Sequence, residues 1–186
     1  MRRATDGVPP SRYVATALPD TSPQLALTIK TIVLATDLSV VSRDATLSAI
    51  DLSARLKARL LVVNVLERRR LSGSGSHDRM DQARAERETH LLAVVRKARS
   101  AGANAAFLLW DGDPGSSIVA AAEAEHADLV VVGTRGRSGP ERMLLGSVSD
   151  HVVHHAVCAV MVVPPFARHA SDPFASQAAT LERDEP

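Results

Sequence analysis

Residues 127–147 read ADLVVVGTRGRSGPERMLLGS. The run opens apolar, with no polar alternation, and breaks at Gly133 into a polar loop that ends on Gly146 and Ser147. An unbroken apolar run of this length fits a strand covered on both faces, the habit of parallel sheets. Four more runs resemble it: KTIVLAT (30–36), ARLLVVNVL (58–66), NAAFLLW (104–110) and CAVMVVP (158–164). Segments with helical period separate them. A βαβ rhythm with right-handed crossovers places helices on both sides of one sheet. The predicted class is therefore α/β, a single doubly wound five-stranded parallel sheet.

The intervening segments carry helix punctuation. Over 42–57, Ala45, Ala49, Leu52 and Leu56 recur at steps of three or four and predict one apolar stripe. A helix from about Asp78 to Ser100, closed by Gly102, is amphipathic in its second half through Leu91, Val94, Val95 and Ala98. Its first half, DRMDQARAERET, is so polar that it is expected to face water or another subunit. Asp113 and Pro114 stand as N-cap and first-turn residue of a third helix, and a fourth is expected from Ser147 to about His155.

Composition narrows the function classes. Hydrophobic residues make up 45% of the 186 but aromatics only 3%, so Val, Leu, Ile and Ala must build the core. Lys and Arg number 22 against 21 acids, which gives no electrostatic reason to expect a nucleic-acid partner. Cys158 is the single cysteine, so an internal disulfide is impossible and a reducing, cytoplasmic setting is expected. No apolar stretch approaches the length of a membrane span or of a signal peptide core, so no membrane association is expected. Residues 1–28, with four prolines and no sustained period, are expected to form a disordered arm. The folded domain is expected over 29–164, and 165–186 as a disordered tail.

In a doubly wound sheet, ligands settle beyond the carboxyl ends of the strands. Gly133 stands at such an end, and Gly133 and Gly136 are expected to let the chain turn with positive φ and let a ligand approach the backbone. Gly146 and Ser147 open the last helix, whose first amides lack intrahelical acceptors and attract an anion. Ser147 and Asp150 have the S-x-x-D spacing of a capping box. Strand, glycine turn, loop and helix start together describe a phosphate cradle. Neither the Walker A pattern nor G-x-G-x-x-G is present.

GTRGRSGPERMLLGS resembles the ATP-binding signature of the universal stress proteins: Gly, two residues, Gly, nine residues, then Gly followed by Ser or Thr. The similarity extends to TIVLATDLS, LLVVNVLE, DGDPGSSIVAAAEAEHADLVVVG and HHAVCAVMVVP, and so covers residues 29–164. The resemblance implies strand order 3-2-1-4-5, with ATP across the ends of strands one and four and Mg²⁺ carried on its phosphates. Ala35 and Asp37 match the positions that meet adenine and ribose, and Val65 the position whose backbone reads the adenine edge. Gly133, Arg135, Gly136 and Arg137 match the ribose and phosphate loop, and Gly146, Ser147, Val148 and Ser149 the helix start at the terminal phosphates. Two positions depart from common members of the family: Ala159 and Ala35 stand where proline is frequent. A homodimer joined through the last strand, around Val160 to Val163, is also implied, together with a protein partner that the sequence does not name.

Other constellations have structural readings. His151 and His155 lie one helical turn apart, as two zinc ligands would, but no third ligand accompanies them, and no metal site is expected. Asp111 is assigned to a turn, Asp113 to a cap, and Cys158 to the start of a buried strand rather than to a nucleophile. ERRR at 67–70 reads as a solvated strand exit. Fast hydrolysis needs a residue that orients water, and none stands near the signature. The expected function is a nucleotide-dependent regulatory or stress-response protein with slow ATP hydrolysis at most, in which ATP orders the loop from Gly136 to Leu145. A nucleotide-independent interaction module and a genuine ATPase or phosphotransferase are the alternatives.

Overall fold

The computed structural model describes residues 28–67, 76–134 and 145–165. The expected arms, apart from residues 28 and 165, and the central loop with Arg135, Gly136 and Arg137 lie outside them, as does most of ERRR. Five strands alternate with four helices: β1 (Thr31–Ala35), α1 (Arg43–Leu56), β2 (Arg59–Leu66), α2 (Ser76–Ser100), β3 (Asn104–Asp111), α3 (Pro114–Ala124), β4 (Leu129–Gly133), α4 (Ser147–His155) and β5 (Ala159–Val163). A 3₁₀ turn, Val40–Ser42, precedes α1. All pairings are parallel, and the order is β3-β2-β1-β4-β5.

Strand alternation sorts the core into two layers. Ile32, Leu34, Leu60, Val62 and Val131 turn to the face covered by α1 and α2, where Ala49, Leu91, Val95 and Ala98 meet them. Val33, Leu61, Val63, Val130 and Val132 turn to the other face, against Ile118, Ala121 and Val152 of α3 and α4. Helices thus cover both faces. The central strands β1 and β4 are buried almost throughout, as their apolar runs require. The two outer strands are not. Along β5, residues 159–162 alternate between exposed and half-buried and Val163 is buried, and β3 is mostly half-buried, because helix cover thins at the sheet margins.

The stripe on α1 is shifted from the one expected. Ala45 and Ala49 are buried, but Ile50 and Ser53 complete the inner face, whereas Leu56 is exposed in the last turn. Lys57 ends this helix in the left-handed conformation, with its N–H on Ser53 O. Asp113 caps α3 as expected, its Oδ1 accepting from Ser116 N at 3.0 Å, and Pro114 follows at the first helical position. At α4 the capping box is absent: Gly146 is the N-cap, without a side-chain cap bond, and Ser147 is already inside the helix. Among the described glycines, positive φ occurs at Gly102 and Gly112 but not at Gly133, and Gly146 has φ −77°. Neither Gly133 nor Gly146 is thus held in the left-handed region that favours glycine.

Candidate functional site

The connections leaving β1 and β4 diverge. β1 leads to α1 on one face of the sheet, and β4 leads towards α4 on the other. A crevice opens between neighbouring strands whose exits part in this way. Ala35 and Gly133 end the two strands, and the β1–β4 register closes with Ala35 opposite Val132.

β2 runs past the end of β1. The last β1–β2 partners are Ala35 and Val63, and Thr36 N donates to Val63 O at 3.0 Å. Main-chain polar groups point to alternate sides along a strand, so Val65, two residues on, turns its N–H and C=O to the side where β1 has ended. Leu66 O points the opposite way and accepts from Gly112 N. The main chain of Val65 therefore borders the crevice.

The turn after β1 is heavily cross-linked. Asp37 Oδ1 accepts from Ser39 N at 3.1 Å and from Ser39 Oγ at 2.7 Å. Leu38 N donates to Thr36 Oγ1, and Ser42 Oγ donates to Ser39 O, so the 3.0 Å contact between Thr36 Oγ1 and Ser42 Oγ carries the threonine's proton. Leu38 sits in this turn at φ +62°, a conformation that a leucine adopts only when its surroundings hold it there. The carboxylate of Asp37 is thus carried on a rigid support.

On the far side, Gly146 N donates to Thr134 O at 2.7 Å, which brings the start of α4 back to the end of β4. Ser149 Oγ lies 3.0 Å from Thr134 O and 2.9 Å from Gly146 O, and the side chain is buried. That hydroxyl is a tether between helix and strand. The first bond of the α4 ladder is Asp150 N to Gly146 O, so the amides of Ser147, Val148 and Ser149 come before any intrahelical acceptor. Three N–H groups at the positive end of a helix suit an anion. Thr134 Oγ1, between the two elements, is buried without a hydrogen-bond partner among the described residues. A buried hydroxyl left in this state costs about 1–3 kcal/mol.

Ala35, Asp37, Val65, Gly133, Gly146, Ser147, Val148 and Ser149 accordingly lie at one end of the sheet, around the crevice. Arg135, Gly136 and Arg137 are outside the described residues. Three side chains that sequence reasoning passed over also reach this end. Asn64, 1% exposed, donates from Nδ2 to Thr36 O at 2.7 Å and accepts at Oδ1 from Arg87 Nη1 at 2.7 Å. Arg84 Nη2 binds both carboxylate oxygens of Asp111, at 2.8 and 2.7 Å, so Asp111 is an ion-pair partner rather than a simple turn residue. The signal for Asn64 was present: a polar residue inside the apolar run LLVVNVL must find partners when buried.

The discarded constellations lie elsewhere. His151 stacks on His155 with ring centroids 4.1 Å apart and packs over Gly115 of α3, and no group of three or more potential metal ligands occurs among the described residues. Cys158 precedes β5, at the end of the sheet opposite the crevice, and burial, then the charge of Asp128, pushes its thiol up. Such a thiol is a poor nucleophile. No described helix is long and apolar enough to cross a membrane.

Fold and site together define an α/β protein of the universal stress class. Residues 28–164 match the universal stress protein family, and the chain belongs to it. Universal stress protein MJ0531 of Methanocaldococcus jannaschii is 36% identical over 138 residues, which are 72% of this chain and 81% of the relative. Among solved structures, the universal stress protein UspA from Lactobacillus plantarum superposes with TM-score 0.67 at 23% identity, over 73% of this chain and 97% of its own. A universal stress protein in complex with cAMP superposes with TM-score 0.59 at 27% identity, over 74% and 98%.

Proposed function

We propose that the chain binds an adenine nucleotide, ATP with Mg²⁺ on its phosphates, across the carboxyl ends of β1 and β4, and that occupancy regulates what the protein binds in a stress response. The observation that carries this reading is the convergence of main-chain groups on one crevice: Val65 beyond the end of β1, and the amides of Ser147, Val148 and Ser149 tied to the end of β4 by the Gly146–Thr134 bond. Val65 would read the adenine edge, Asp37 would accept from a ribose hydroxyl, and the α4 amides would hold the phosphates. Glycine at 133 and 146 would leave room for the ligand, and Thr134 Oγ1 would gain a partner from a ligand oxygen. The cAMP-bound relative supports the adenine part of the reading. Arg135, Gly136 and Arg137 complete the phosphate loop in this proposal. Hydrolysis is slow at most, and the protein works as a homodimer in the cytoplasm.

Trp110 offers the direct test. It is the only tryptophan in the chain, it is 39% exposed, and it is the register partner of Val65 on the neighbouring strand. Partners so placed lie about 5 Å apart across the ladder. Titration with Mg·ATP should change its emission saturably, with GTP weaker. Unchanged emission together with no retention of ATP in equilibrium dialysis would favour the nucleotide-independent module.

A further inference from the structure

We propose that Asn64, with Arg87 behind it, is a positioning residue that sets how well Asp37 meets the sugar of the bound nucleotide; this rests on the nucleotide reading above. Asn64 is the one buried polar side chain of β2, whose other buried residues, Leu60, Leu61, Val62, Val63 and Leu66, are apolar. An apolar residue of similar volume would suit that layer. A buried carboxamide is costly unless both its ends are paired, and here both are.

The pairing has a direction. The carbonyl that Asn64 holds is that of Thr36, and Thr36 C=O belongs to the peptide plane that leads into Asp37. A peptide unit is rigid, so fixing its oxygen fixes the direction in which the Asp37 backbone leaves the strand. Asp37 is then locked to Ser39, and Leu38 is held at φ +62° between them. A strained turn persists only where several restraints act together, and the Asn64 bond is one of them. Ionised donors make stronger hydrogen bonds than neutral ones, so the Arg87 guanidinium both orients the carboxamide and polarises the bond to Thr36 O.

The same side of α2 makes a second contact of this kind. Arg84, three residues earlier and on the same side of α2, grips Asp111 at the end of β3. One helix thus reaches the ligand ends of three adjacent strands: β3 through Asp111, β2 through Asn64, and β1 through the Thr36 carbonyl that Asn64 holds. Arg84 and Arg87 thus have a structural reason to be polar, while Asp81, Gln82, Glu86 and Glu88 around them are exposed, as expected for the first half of α2.

The test compares ATP with 2′,3′-dideoxy-ATP by calorimetry on the full chain. Wild type should prefer ATP, and Asp37→Ala should remove that preference. Asn64→Asp keeps the volume and the acceptor for Arg87 but turns an acceptor towards Thr36 O. It should weaken ATP by about three- to tenfold while leaving dideoxy-ATP nearly unchanged, the loss expected for one hydrogen bond. Arg87→Gln should act in the same direction, and it gives the readout if Asn64→Asp does not fold. A lowered melting temperature with the ATP to dideoxy-ATP ratio intact in both variants would show a merely structural role and overturn the inference. Wild type that binds both nucleotides equally would also overturn it, whereas wild type that binds neither would sink the nucleotide reading itself.

Discussion

Gly115 shows how closely single atoms are matched. A Cβ built there would stand 2.8 Å from His151 Cγ and Cδ2 and 3.0 Å from its Cβ, too close for the ring to stay where it is. Elsewhere in a helix, Gly→Ala gains roughly 1 kcal/mol. Here overpacking, typically about 1–3 kcal/mol, opposes that gain. Gly115→Ala should therefore lower the melting temperature by a few degrees and break the His151–His155 stack, whose ring signals can be followed by NMR. A higher melting temperature would mean that α3 and α4 are packed more loosely than described. Nothing in the sequence marked Gly115, because the clash depends on where a residue 36 positions away lies in space.

Among the elements, the end of the sheet opposite the proposed site carries a contact that serves stability. At the amino ends, Asp128 Oδ2 accepts from Lys30 N at 2.8 Å and Thr31 N at 2.9 Å, and these backbone bonds pull its carboxyl below the usual range. A carboxyl depressed in the folded state stabilises fully above its unfolded value of about 3.9 and loses that contribution as pH falls through the folded value. Asp128→Asn should thus destabilise at neutral pH, flatten the acid limb of the stability profile, and leave nucleotide affinity unchanged, as thermal melts over a pH series with parallel titrations can show. A matching loss of ATP affinity would contradict that role. The order of elements was legible from the apolar runs, and the caps at Asp113 and Pro114 from local chemistry. The capping box expected at Ser147 is absent, because the bond from Gly146 N to Thr134 O places Gly146 in the cap position and Ser147 inside the helix. The partners of Asn64 were not legible, since they come from β1 and α2, far apart in the chain. The positive φ expected at Gly133 is not present, because the residue is still paired as the last of β4.

At the scale of the whole molecule, the half-covered edge β5 raises the question of a partner. Met161 is 39% exposed on it, with Val157 at 71% and Val153 at 44% nearby. Apolar edges of this kind are usually covered. Wild type should sediment as a dimer at micromolar concentration and Met161→Lys as a monomer, whereas a monomeric wild type would remove β5 as the joint.

The convergence of main chain on the β1–β4 crevice is tested most directly by calorimetric titration of wild type and Gly146→Val with Mg·ATP. The backbone angles at 146 admit valine, so the fold should hold while the side chain fills the mouth of the cradle. The account predicts saturable binding near one nucleotide per chain in wild type and loss of that binding in the folded variant. Equal heats from both proteins, or none from folded wild type at millimolar nucleotide, would contradict it.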